Sequence, residues 1–118
     1  MRKNNFLKSD GIINGWIHSE CTTSAEIIAS SKFDSITIDL QHGMIGFEKC
    51  KMLLQILSKN KVYPIVRVPS NDIGIINKCL DAGAKAIICP LVNNKRECQS
   101  FTKNCYYPPY GFRSYSLP

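Results

Sequence analysis

The chain has 118 residues, the length of one ordinary domain. Hydrophobic residues make up 44% and charged residues 20%, a balance that excludes disordered, collagen-like and low-complexity classes. Lysines and arginines outnumber acids to a net charge of +6, but the lysines are dispersed from Lys32 to Lys103 and no basic run interleaves with aromatics. That pattern fits a solvated surface rather than a nucleic-acid footprint.

No apolar run reaches the roughly 18 residues of a membrane span, so neither a membrane nor a nucleic-acid partner is expected. The basic opening, residues 1–10, is followed by no apolar stretch that would make it a signal peptide. It reads as an N-terminal extension ahead of a domain over residues 11–118, and a cytoplasmic location is expected. The six cysteines form no CxxC pair, which argues against a zinc site. Cys50, Cys79, Cys98 and Cys105 occupy apolar positions of helical patterns, where a thiol acts as a small hydrophobe. Cys89 lies in a strand-like run.

Short apolar runs then alternate with helical patterns. Residues 11–18 form the first strand-like run. Residues 24–31 read as a short helix capped by Thr23 or Ser24. Residues 35–41 are the second run, followed by a helix with Phe47, Cys50, Leu54 and Leu57 at spacings of three and four. Residues 62–68 are the third. Its helix starts near Asn71 or Asp72, carries Ile73, Ile76 and Leu80 on one face, and stops at Gly83. Residues 85–92 are the fourth, with Cys98, Phe101 and Cys105 lining the helix after it.

Strand followed by helix, four times over, predicts an α/β fold with a parallel sheet and right-handed crossovers. Side-chain parity refines this. Ile36, Ile38 and Leu40 share one face of the second strand, and Thr37, Asp39 and Gln41 the other. Val66 and Val68 lie opposite Arg67, and Ile13 and Ile17 opposite Asn14, Trp16 and His18. One face is apolar while the other turns polar towards the strand C-termini. A doubly wound sheet wants both faces apolar, whereas a (β/α)₈ barrel gathers its chemistry at the C-terminal mouth. A whole barrel takes about 250 residues. The expectation is therefore the N-terminal half of a TIM barrel, about four βα units.

The polar residues at those strand ends are Asp39, Gln41, His42 and Arg67. An Asp-x-x-His spacing lets a carboxylate orient an imidazole for general-base work. Arg67 would direct a fixed cation at the same mouth, able to bind a carbonyl or carboxylate oxygen. Each residue has an ordinary alternative, since a loop histidine is commonly surface and an arginine commonly a salt-bridge partner.

Five ordered segments carry a resemblance: residues 38–43 (IDLQHG), 66–69 (VRVP) with Asp72, 80–84 (LDAGA), 89–93 (CPLVN) and 107–114 (YPPYGFRS). With Gly15-Trp16 and Ala25-Glu26, they resemble the HpcH/HpaI aldolase/citrate lyase family. The likeness is to its class II, metal-dependent pyruvate aldolases of the 4-hydroxy-2-oxoheptanedioate aldolase type. The resemblance implies a carbon–carbon lyase that reversibly cleaves a 4-hydroxy-2-oxo acid to pyruvate and an aldehyde. It implies Arg67 as the arginine that holds pyruvate, Asp39 and His42 as the proton-transfer pair, and Trp16 as a pocket-lining residue. Gln41 is assigned to the pocket wall, although many members carry glutamate there. Ser116 and the loop over residues 19–23 also depart from the family pattern. His18 has no matching role and is expected to be structural or exposed. The 107–113 loop is expected near either the substrate or a neighbouring subunit.

The resemblance further implies a divalent metal (Mg²⁺, Mn²⁺ or Co²⁺) held by a glutamate and an aspartate at the ends of the fifth and sixth strands. Neither is expected within these 118 residues. Glu20, Glu26, Asp34, Glu48 and Asp81 fall on predicted helices or loops. Two readings follow: the N-terminal half of an aldolase, or a non-catalytic half-barrel that assembles with itself or with a complementary half. Either leaves the first and fourth strands as open edges.

Overall fold

Four strands and four helices alternate along residues 11–116, the part of the chain that the computed structural model describes. The expected extension over residues 1–10 lies outside the described residues. In chain order the elements are β1 (Asn14–Ile17), α1 (Thr22–Ala29), β2 (Ser35–Asp39), α2 (Phe47–Ser58), β3 (Tyr63–Arg67), α3 (Ile73–Asp81), β4 (Ala86–Ile88) and α4 (Lys95–Cys105). The strands are parallel and lie in the order β1-β2-β3-β4. Each crossover helix thus returns the chain to the next strand in line, as in consecutive units of a (β/α)₈ barrel.

The core lies between the sheet and its helices. Ile17, Ile36, Ile38 and Val66 are buried on the helix-facing side. They meet Ala25 and Ala29 of α1, Cys50, Leu53, Leu54 and Leu57 of α2, and Ile76 and Cys79 of α3. The spacings of three and four in α2 produce this stripe, and each buried leucine contributes about 1.5–3 kcal/mol. The neighbouring Cys79 thiol, and after it burial, raises the pKa of Cys50 and keeps its thiol neutral, so it packs as a hydrophobe.

Helix limits follow local chemistry. The Asp72 carboxylate accepts from Ile75 N at 3.0 Å and caps α3. Beyond its end Gly83 sits at φ +114°, a conformation open to glycine. At α1 the cap differs from the expected Thr23 or Ser24. The helix begins at Thr22, and Cys21 Sγ accepts from Ser24 N at 3.5 Å. A sulfur acceptor is a weak cap and leaves no Ser/Thr signature in the sequence.

Three further expectations are corrected. The fourth strand covers Ala86–Ile88 rather than residues 85–92. Pro90 offers no N–H to a ladder, and Leu91 takes φ +57°. Cys98 is exposed, and no residue of α4 is fully buried, with Phe101 and Cys105 only partly covered. Among the described residues α4 packs mainly against α3, and the Cys98 end of its apolar stripe has no cover. Ile13 precedes β1 and is 63% exposed rather than packed beside Ile17.

The opposite face of the sheet carries the other parity. Register pairs Trp16 with Thr37, Thr37 with Ile65, and Asp39 with Arg67. Asn14 Oδ1 accepts from Ser35 Oγ at 2.7 Å and from Thr37 Oγ1 at 3.2 Å, which satisfies buried hydroxyls on that face. Among the described residues β1 and β4 each pair on one side only.

Candidate functional site

The C-terminal ends of β1, β2 and β3 gather Trp16, His18, Asp39 and Arg67 on the face away from the helices. Parity sets this: Trp16 and His18 alternate along one strand, and Asp39 ends the next in register with Arg67. Asp39 is fully buried and ends the last regular stretch of β2. Leu40 N still donates to Arg67 O at 2.9 Å, and Val68 N to Ile88 O at 3.0 Å, so the strand ends are held past the formal ladder.

The Asp39 carboxylate is the hub. Arg67 Nε donates to Oδ1 at 2.9 Å and Nη2 to Oδ2 at 2.6 Å, a bidentate fork. Gln41 N and His42 N donate to Oδ1 at 3.0 and 3.3 Å. These donors, the guanidinium first, hold the carboxyl at a pKa of about 2 against burial, which opposes them. Asp39 in turn raises the pKa of Arg67. The pair is a fixed anion and a fixed cation throughout the physiological range.

The fork engages Nε and Nη2 and leaves Nη1 with no partner among the described residues. The Arg67 side chain is 23% exposed, so the guanidinium is reachable from solvent. Its guanidinium carbon lies over the Trp16 ring, 4.8 Å from the centroid. Stacking on an indole fixes the plane of a guanidinium while leaving its edge donors free. The site therefore presents an oriented cation with unused N–H groups, suited to the oxygens of a small carboxylate or 2-oxo acid.

The histidines do not sit as the spacing suggests. His42 is exposed and meets Asp39 through its backbone N–H, which closes an Asx-type turn; its imidazole does not approach the carboxylate. The imidazole beside Asp39 belongs to His18, whose Nδ1 lies 3.3 Å from Oδ2. The ring is 6.0 Å from that of Trp16, centroid to centroid. His18 is exposed, as expected, but it is not isolated. Its position two residues beyond Trp16 on the same strand face was the available signal. Gln41 is half-buried at the turn and anchored by its backbone N–H.

The turn over residues 40–43 folds back tightly. Met44 N donates to His18 O at 3.1 Å, tying it to the end of β1. A Cβ at Gly43 would collide with the backbone oxygen of Asp39, so glycine is required there.

The 107–113 loop lies elsewhere. It follows α4 and folds against that helix, with Phe112 N donating to Lys103 O at 2.7 Å. Arg113 Nη2 reaches Asp81 Oδ1 at 2.8 Å, and its guanidinium lies 4.4 Å from the Tyr107 ring centroid. Asp81 ends α3, the helix that leads into the start of β4, so this loop sits at the opposite end of the strands from Asp39. It does not approach the site within this chain.

Among the described residues no group of three or more His, Cys, Asp or Glu could hold a metal ion. Asp39 spends both carboxylate oxygens on Arg67 and its turn. The acids Glu26, Glu48 and Asp81 lie on helices, and Asp34 Oδ2 accepts from Ile13 N at 2.8 Å.

Comparison with known proteins adds relatives to this geometry. The model of the HpcH/HpaI aldolase/citrate lyase family matches residues 13–117. A hydroxypyruvate/pyruvate aldolase of Rhizorhabdus wittichii is 38% identical over 101 residues, covering 86% of this chain and 40% of that protein. A 4-hydroxy-2-oxo-heptane-1,7-dioate aldolase of Escherichia coli is 31% identical over 98 residues, covering 83% of this chain and 37% of that one. The crystal structure of macrophomate synthase superposes with a TM-score of 0.84 at 30% identity, covering 97% of this chain and 40% of that chain. The chain thus spans about two-fifths of the length of the relatives it matches.

Proposed function

Because the chain belongs to the HpcH/HpaI aldolase/citrate lyase family, we propose that its four βα units carry the oxygen-binding and proton-handling side of a pyruvate-aldolase site. The reaction is reversible cleavage of a 4-hydroxy-2-oxo acid to pyruvate and an aldehyde. The observation that carries this reading is the Arg67 guanidinium, gripped by ionised Asp39 through Nε and Nη2 and lying over the Trp16 ring at the C-terminal ends of the strands.

The chemistry follows from that cation. Cleavage removes the proton of the C4 hydroxyl, forms the aldehyde carbonyl and breaks the C3–C4 bond. The electron pair passes to C3 and the C2 oxygen as an enolate, and a proton returned to C3 completes pyruvate. Arg67 would hold the carboxylate and the C2 oxygen, where negative charge grows. An imidazole at the mouth would move the protons, a role worth about 10²–10⁴-fold. In this reading His42 remains the candidate implied by the family motif, with Trp16 and Gln41 as pocket wall.

A divalent metal is the family's expected cofactor, but the described residues do not supply a ligand set for it. Among the described residues β1 and β4 each pair on one side only, which supports a partner that completes the barrel wall: a second copy or a complementary half. A small soluble metabolite as substrate agrees with a cytoplasmic location.

The test is deuterium exchange into the pyruvate methyl group, followed by NMR with Mn²⁺ or Mg²⁺ and then with EDTA. Exchange that is lost in Arg67→Met supports the reading, because enolisation is common to all such donors and needs no choice of acceptor. Absence of exchange from a folded sample, with and without metal, would assign the chain to assembly rather than catalysis.

A further inference from the structure

We propose that Cys50 and Cys79 are an oxidation site, a facing dithiol that a peroxide converts to a disulfide pinning α3 to α2. Both residues are free cysteines, both are 0% exposed, and both belong to the core between sheet and helices. Cys50 lies in the first turn of α2, three residues after Phe47 and on the same face. Cys79 follows Lys78 on α3, and Lys78 Nζ lies 5.4 Å from the Phe47 ring centroid. The last turns of α3 therefore rest on the first turn of α2. There the two sulfurs meet, with the Cys50 S–H donating to Cys79. A single buried thiol is only a small hydrophobe. Two on facing helices bring together the atoms of a bond.

The contact makes the two thiols unequal. The proton offered by Cys50 lowers the pKa of Cys79 against the effect of burial, and raises that of Cys50 itself. Cys79 is then the nucleophile and Cys50 the resolving thiol. The Cys79 thiolate attacks one peroxide oxygen, the O–O bond breaks, and a sulfenic acid and hydroxide form. Cys50 sulfur attacks that sulfenic sulfur, loses its proton, and expels the oxygen as water. Two thiols and one hydrogen peroxide thus give one disulfide and two waters. Access comes through α3, which has nine residues and is too short to be stable without its packing. Its local opening admits a small oxidant. The new bond closes a loop that contains β3, so it ties together the units that carry Asp39 and Arg67. It lies on the helix side of the sheet and leaves the mouth untouched.

The experiment oxidises the folded whole chain with hydrogen peroxide, alkylates the remaining thiols in denaturant, and maps tryptic peptides without reductant. The expected product joins residues 50–51 to residues 79–85, the peptides bounded by Lys49, Lys51, Lys78 and Lys85, with the mass of two hydrogens lost. Oxidation in urea should cut the share of this link about fivefold or more, since any cysteine then meets any other. Cys21 and Cys98 are exposed, so a Cys21→Ser/Cys98→Ser variant removes cross-linking between chains. That variant should form the link undiminished and melt about 5 °C higher oxidised than reduced. Cys50 and Cys79 both recovered free from the oxidised, still folded chain would overturn the proposal. So would either one joined to another cysteine, a link as common in urea as in the fold, or an unmoved melting temperature. No part of the test uses pyruvate, so its outcome is independent of the aldolase reading.

Discussion

Asp39 and Arg67 are register partners on β2 and β3, and the same two residues close a bidentate ion pair with both donor distances under 3 Å. Backbone pairing therefore sets the ion pair before any side chain chooses a rotamer. The carboxylate is wholly buried and the guanidinium is 23% exposed. Removing one partner of a buried pair strands the other, at about 3–5 kcal/mol. Arg67→Met is expected to fall at the lower end of that range, about 3 kcal/mol, in urea unfolding. A loss under 1 kcal/mol would show that the pair is no more than a surface contact.

Acid should attack this pair first. Asp39 has a folded pKa of about 2 against an ordinary 3.8, so it binds its proton less readily in the folded chain. Its contribution is fully present above about pH 4 and is lost as the pH falls through 2, with a magnitude of about 2 kcal/mol. Unfolding free energy measured between pH 5 and 2 should drop steeply in the wild type and less steeply in Asp39→Asn, which starts lower. Parallel curves would place the acid sensitivity on another carboxylate.

Trp16 is the chain's single tryptophan and touches the guanidinium face. Its emission is thus a direct report on the mouth. Pyruvate drawn to the free edge of Arg67 would alter the field across the indole, and a saturable change in fluorescence is expected. Arg67→Met should abolish it. A Trp16→Leu variant removes a cation–π contact of about 0.5–1 kcal/mol, so weakening of pyruvate binding by a few-fold is expected, without loss of fold.

Much of this site was legible from alternation alone, and the reasons are physical. Ile36, Ile38 and Leu40 against Thr37 and Asp39 define two faces, and the structure places them so. Arg67, one residue from Val66 and Val68, was bound to share a face with Asp39 once the strands ran parallel. Parity fails where the chain leaves the strand. After Asp39 the backbone turns, so Asp39 and His42 are linked through a backbone N–H rather than through the imidazole. The partner that motif spacing could not name, His18, comes from a neighbouring strand 21 residues earlier, and only sheet register brings it to Asp39. The same limit explains Cys98: helical periodicity marks an apolar stripe, but what covers the stripe is a tertiary fact.

Gly43 gives the sharpest test of the turn that separates the two histidines. The Cβ of an alanine would run into Asp39 O and approach His18 O at 3.2 Å, both of them backbone atoms that cannot rotate away. The turn must then open, and the His42 N–H and the Met44 N to His18 O bond are the contacts it would break. Overpacking of this kind costs about 1–3 kcal/mol. Gly43→Ala is therefore expected to lower stability by that amount and to disturb the His18 resonances as well as those of His42. By contrast Gly46→Ala, three residues on, meets nothing within 4 Å and should leave both unchanged. Equal effects from the two substitutions would mean that the turn does not depend on the contact between residue 43 and the Asp39 backbone.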